Sequence, residues 1–184
     1  MDIQSKKLRN CFGCFATGVV IACTKKKARI FDNCFSRKGF DDKANDVCNH
    51  LSGITINSFS SLSLDPPLIQ FAIGNKSSQL SFFKKNHYFS LNILSSEQQN
   101  LSNAFASSSK DLTKKLEKWQ IEPFFLSKYS NPIFENSLAF IECKRYKVIK
   151  AGDHHIIIGK VVDFKIISNK NPLTYYRGNY ATLT

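Results

Sequence analysis

Gly53-Ile-Thr-Ile-Asn-Ser-Phe-Ser-Ser-Leu-Ser-Leu-Asp-Pro-Pro-Leu68 is the stretch on which the fold turns. Its first five residues alternate apolar and polar, the period of a half-buried strand. Ser-Phe-Ser-Ser-Leu-Ser-Leu continues in extended character. Asp65-Pro66-Pro67 then forces a turn, because each proline fixes its own φ and restricts the residue before it. Leu68 to Ile73 reads as the returning strand.

Downstream, Gly74 to Ser78 predicts a turn with N-capping residues, and Gln79 to Lys84 a short helix. Tyr88 to Leu94 is the next strand. Ser95-Ser96-Glu97 opens a helix to about Ala106, and Leu112 to Trp119 reads as a further helical turn. The last third is strand-rich, with strands expected at Ser137 to Cys143, Arg145 to Lys150 and His155 to Ile167. Gly152-Asp153 supplies a hairpin-like turn before the last of them. Upstream, residues 5 to 16 have helical apolar spacing at Leu8, Cys11, Phe12 and Phe15. Val19 to Cys23 reads as a buried strand. Residues 25 to 50 are basic, rich in Asn and Asp and without a sustained period, so they read as a long surface insertion. Many strands, few short helices and no βαβ alternation indicate a mainly β fold, a barrel with peripheral helices. The GxGxxG fingerprint of a Rossmann fold is absent.

The chain has 184 residues, 42% of them hydrophobic, which suits one domain over 1–184 with a sizeable core. No apolar run approaches the roughly 20 residues of a membrane span, and the start lacks the apolar segment of a signal peptide. A cytoplasmic protein without a membrane role is therefore expected. The formal net charge is +12. Its lysines are spread in pairs and triplets without a zinc-finger or RNP-like pattern, which argues against nucleic acid and leaves an anionic small molecule as the better use of the charge. Of six cysteines, Cys11 and Cys14 form a CxxC spacing. No second pair or His set completes a metal site, so none is expected. The two cysteines read instead as buried, reduced residues on the apolar helix face.

The quoted stretch resembles the signature of the flavin reductase-like family of FMN-binding split barrels. Six further pieces follow the family in order: Phe15-Ala16-Thr17-Gly18-Val19; Lys76-Ser77-Ser78; Phe89 to Leu94 with Asn92; Leu101-Ser102 to Phe105-Ala106; Ala151-Gly152-Asp153-His154 with Gly159-Lys160-Val161; and Pro172-Leu173 with Tyr176 to Tyr180. The resemblance runs from about Leu8 to Tyr180. It departs at the long basic segment and at His155, where the family often has Thr. It implies a split β-barrel, an NAD(P)H:flavin oxidoreductase with FMN or FAD, and NADH or NADPH as electron donor. It also implies a homodimer and a partner monooxygenase that receives reduced flavin. A non-enzymatic flavin-binding electron carrier is the alternative.

The residues themselves fit these demands to different degrees. Lys76, Ser77 and Ser78 at a helix start offer charge and donors to a phosphate, or they are ordinary capping residues. Thr55, Asn57, Ser58, Ser60 and Ser61 offer hydroxyls and an amide to the polar edge of an isoalloxazine, or they are a solvated strand edge. Asn92, Phe105 and Tyr180 join the cofactor contacts through the resemblance, although an aromatic on a helix is commonly core. His154 is the candidate to orient the nicotinamide, against a surface histidine on a hairpin. Hydride transfer needs placement more than a protein base, so the lack of a catalytic triad excludes nothing.

Overall fold

The computed structural model describes residues 3–25, 50–107, 118–181 and 183. The proposed insertion at 25–50 and the helical turn at 112–119 fall almost wholly outside these residues. In chain order the elements are α1 (Ile3–Phe12), β1 (Thr17–Gly18), β2 (Val20–Lys25), β3 (Leu51–Ile56), β4 (Ser60–Leu64), β5 (Pro67–Gly74), α2 (Leu80–Lys85) and β6 (Tyr88–Ile93). A 3₁₀ turn (Ser96–Gln98), α3 (Gln99–Ala106), β7 (Phe124–Leu126), β8 (Pro132–Phe134), β9 (Ala139–Ala151), β10 (His154–Ile166), β11 (Thr174–Tyr176) and β12 (Asn179–Ala181) complete them.

Seven strands form one antiparallel sheet in the order β3-β2-β6-β9-β10-β5-β4. The sheet curls until β3 comes up beside β5, but among the described residues no ladder joins its two ends. The result is the expected split barrel. The turn at Asp65-Pro66 lies where the prolines put it, between β4 and β5. The two strands expected across Cys143 and Arg145 are one, the 13-residue β9, which pairs with β10 along its whole length. Exposed Lys144 is a surface position of this continuous strand; the polar break in the sequence marks emergence from the core, not a turn.

β2 is buried on both faces because two cores meet across it. Val20 and Ala22 point into the barrel with Phe71, Phe83 and Phe89, whose rings pack edge-to-face at 5.4–6.1 Å. Val19, Ile21 and Cys23 face a second core closed by Phe105, Trp119 and Phe134. Glycines allow the close approaches. A Cβ on Gly53 would stand 2.6 Å from the Phe105 ring, and one on Gly159 would stand 2.5 Å from Phe89 Cζ.

Glu142 is a buried carboxyl in this sheet. It accepts hydrogen bonds from Ser127 Oγ and, at 3.0 Å, from Asn131 Nδ2, while its Oε2 has no partner among the described residues. Burial pushes its pKa up, against the pull of those two donors. The folded state therefore holds the proton above the pH at which the unfolded chain loses it. The resulting stability is complete below the unfolded pKa and is lost as pH rises through the folded one. Glu142→Gln, which keeps an acceptor and needs no proton, is expected to raise Tm more at pH 8 than at pH 5, by about 1 kcal/mol in stability. Parallel melts of both proteins across that range check this; equal shifts at the two pH values would count against a buried neutral acid.

Helix α1 differs most from expectation. No residue of it is buried, and Cys11 and Cys14 are exposed, not packed on a helix face. The apolar spacing is real, but Leu8, Phe12 and Phe15, which it aligns, form the wall of a cavity in place of a core contact.

Candidate functional site

The C-terminal segment builds the cavity by pinning itself between β1 and β6. Leu173 N donates to Leu94 O at 3.0 Å, and Val19 N donates to Leu173 O at 3.1 Å. This places β11 against β1, with Thr17 opposite Tyr175. The β11–β12 hairpin turns through Arg177 and Gly178, with φ of 48° and 84°. Two positive φ values are what a two-residue turn matched to strand twist needs. Arg177 N then donates to Gly13 O at 2.8 Å, tying the hairpin to the end of α1.

Between α1, this hairpin and the barrel lies a cavity of about 1230 Å³. Leu8, Phe12 and Phe15 make an apolar wall, Arg9 and Arg177 bring two guanidiniums, and Thr17, Asn57, Asp153, His154 and Tyr175 complete the side nearer the barrel. The Thr17 hydroxyl is buried with no hydrogen-bond partner among the described residues. A buried hydroxyl on a cavity wall can both donate to and accept from a bound molecule.

His154 is oriented from behind. Its Nδ1 lies 2.7 Å from Asp153 Oδ1. A carboxylate only accepts, so Nδ1 carries the hydrogen. Asp153 is held below the usual carboxylate range first by that hydrogen bond and then by the His154 charge. His155 goes the other way along the strand. Its Nδ1 donates to Asn75 Oδ1 at 2.7 Å, and its pKa is lowered by desolvation and by the Lys84 and Lys150 charges. Asn75 also takes its own N–H to Asp153 O at 2.8 Å and its amide Nδ2 to Gly152 O at 3.2 Å. One residue thus clamps the Lys76-Ser77-Ser78 turn to the turn that carries His154.

Of the residues singled out in the sequence, Asn57 and His154 line the cavity. Thr55 and Tyr180 stand behind it: Thr55 Oγ1 donates to Ser102 O, Ser102 Oγ is 2.7 Å from Tyr180 OH, and the Tyr180 ring meets Tyr175 edge-on at 5.5 Å. Lys76, Ser77 and Ser78 occupy the clamped turn beside the cavity, where Ser77 Oγ accepts from Gln79 N. Ser58 is engaged with β5, giving and receiving hydrogen bonds with Ala72. Ser60 and Ser61 lie exposed on the edge strand β4.

Two of the expected cofactor contacts lie in the core. Asn92 is fully buried, and its amide bonds Ile21 O, Pro132 O and Phe134 N. Phe105 is 2% exposed and packs on Trp119 and Phe134. Both are core residues with no face toward the cavity. Beyond the residues the sequence singles out, Arg9, Thr17, Tyr175 and Arg177 also line the cavity. The β1–β11 pairing that gathers them is long-range, and nothing local marks it.

A model of the flavin reductase like domain matches residues 12–184. The chain belongs to the flavin reductase-like domain family. The reductase component of a flavin-dependent trigonelline monooxygenase from Acinetobacter baylyi is 38% identical over 184 residues, covering 99% of this chain and 51% of that protein. The chain thus spans about half the length of that relative. An FMN reductase (NADH), SmoA, from Agrobacterium fabrum is 31% identical over 163 residues, covering 86% of this chain and 75% of that one. The crystal structure of the flavin reductase HpaC complexed with NADP+ superposes with a TM-score of 0.75 at 30% identity over 97% of each chain. For this flavin reductase-like domain, the likeness extends to both the split barrel and the C-terminal segment that closes the cavity.

Among the described residues no helix is long and apolar enough to cross a membrane.

Proposed function

We propose that this flavin reductase-like domain reduces FMN or FAD with hydride from NADH or NADPH and passes reduced flavin to a partner monooxygenase. The observation that carries the reading is the convergence of Asn57, His154, the unpaired Thr17 hydroxyl and two arginines on one cavity. Its volume of about 1230 Å³ exceeds the usual range for one drug-sized ligand, about 300–1,000 Å³, and suits two cofactors. Flavin, when bound, supplies the two-electron chemistry. Asn57 and the Thr17 hydroxyl would meet its polar groups, the Lys76-Ser77-Ser78 turn its phosphate, and Phe12 and Phe15 would exclude water. His154, fixed by Asp153, would orient the nicotinamide donor. The test is oxidation of NADH and NADPH with added FMN or FAD. A protein that holds flavin but oxidises neither nucleotide would overturn the reductase reading in favour of an electron carrier.

His154→Ala is expected to lower the rate of flavin reduction roughly tenfold, about 1.4 kcal/mol of transition-state stabilisation, with flavin affinity unchanged. His155→Ala should leave the rate at the parent value. Stopped-flow bleaching of bound flavin with a parallel affinity titration separates the two. Equal rates for His154→Ala and the parent would remove His154 from the site.

A homodimer belongs to the same reading. Leu64, Phe164 and Ile166 on β4 and β10 are 93%, 72% and 73% exposed, an apolar display that association would cover. Sedimentation at micromolar concentration is expected to give twice the chain mass of 20.9 kDa; a lone monomer there would sink the dimer.

A further inference from the structure

We propose that Cys11 and Cys14 form a peroxide-sensitive dithiol that closes to a disulfide in the cavity wall. The inference goes beyond the reductase reading and does not depend on it. Both thiols are exposed, and Cys14 lines the cavity. Cys14 N donates to Cys11 O at 3.1 Å, so the chain between them is already a closed turn. Side chains three residues apart on such a turn stand about 5–6 Å apart at Cβ, and a disulfide needs about 3.5–4.5 Å. The last turn of a helix with no buried residue yields about an ångström readily, since helix ends fray. Cys23 and Cys143 supply the contrast. Both are buried, and burial raises both thiols, Cys143 to about 12. Thiols so held are inert, because the thiolate is the reacting form.

The oxidant is hydrogen peroxide. One sulfur attacks the O–O bond, giving a sulfenic acid and water. The second sulfur attacks the first, the S–S bond forms, the S–O bond breaks, and a second water leaves. Two thiols are oxidised and one peroxide is reduced. Closure takes Cys14 Sγ off Asn10 O, which it meets at 3.5 Å in the dithiol form. It also braces the segment from Phe12 to Thr17, whose Phe12, Gly13, Cys14, Phe15 and Thr17 line the cavity.

The test treats the whole protein with stoichiometric hydrogen peroxide, caps remaining thiols, digests it and maps the Asn10–Lys25 fragment. The expected result is a loss of about 2 Da located between Cys11 and Cys14, reversed by dithiothreitol. Amide exchange over residues 12–18 should slow roughly tenfold in the oxidised protein. C11S should show neither change. Cross-links to Cys34 or Cys48 instead, single thiols driven to sulfinic acid, or unchanged exchange after a verified Cys11–Cys14 bond would each overturn the proposal. A protein that forms the bond but oxidises no nucleotide would overturn the reductase reading alone.

Discussion

Asn92→Ala is expected to cost about 3 kcal/mol of folding stability, a fall of roughly 6–12 °C in Tm for a chain of this size. The reason lies in three backbone groups. Asn92 Oδ1 accepts from Phe134 N at 2.9 Å, and Nδ2 donates to Pro132 O at 3.2 Å and Ile21 O at 3.3 Å. The amide therefore welds β8 to the β2–β6 pair at a point with no solvent. Truncation leaves the Phe134 N–H without an acceptor and opens a void. Pro132 O loses less, because Ser90 Oγ also donates to it at 2.7 Å. Urea unfolding of the parent and mutant measures the cost, and flavin titration of the folded mutant measures the cofactor role. A mutant of parental stability with weakened flavin binding would make Asn92 a ligand residue after all.

Gly159→Ala should do comparable damage, about 3 kcal/mol, at the upper end of what overpacking costs. The added methyl would meet Phe89 Cζ at 2.5 Å and Cys143 Cβ at 2.8 Å. Neither can step aside. Phe89 is 1% exposed and wedged edge-on against Phe71 and Phe83, and a Cβ moves only with its strand. The β9–β10 register already shifts beside Gly159, so the strands have taken up irregularity there. Phe89→Leu should recover part of the loss only in the Gly159→Ala background. A double-mutant cycle on thermal unfolding tests this coupling, and strictly additive effects would show that the methyl is accommodated elsewhere.

The barrel was legible because its signals are local. Alternation before Asn57, the prolines at 66 and 67 and the turn at Gly152-Asp153 each act on their own few residues, and together they order the strands. Of the residues the motifs single out, Asn57 and His154 are the ones that also line the cavity. Asn92 and Phe105 carry the same chemistry as cofactor contacts, but both are buried in the core, and burial is a tertiary property that no local motif reports. Arg9 and Arg177 are 168 positions apart in the chain and become neighbours of one cavity through the threading of Leu173 between Val19 and Leu94. Cys11 and Cys14 misled for a related reason. Helical apolar spacing says which residues share a face, but not whether that face meets a core or borders a cavity.

The Asn75 clamp has a consequence for anyone who would re-engineer this protein. Its backbone and both ends of its amide are committed to Asp153, Gly152 and His155, so the loop at Lys76 and the tip carrying His154 form one mechanical unit. Under the proposed assignment of the phosphate to positions 76–78, a library that varies them will displace the His154 imidazole at the same time. On that proposal, selection on one loop alone would keep returning variants whose altered affinity is offset by a slower turnover. Randomising both loops together, with Asn75 left untouched, is the route by which binding and rate could be tuned separately.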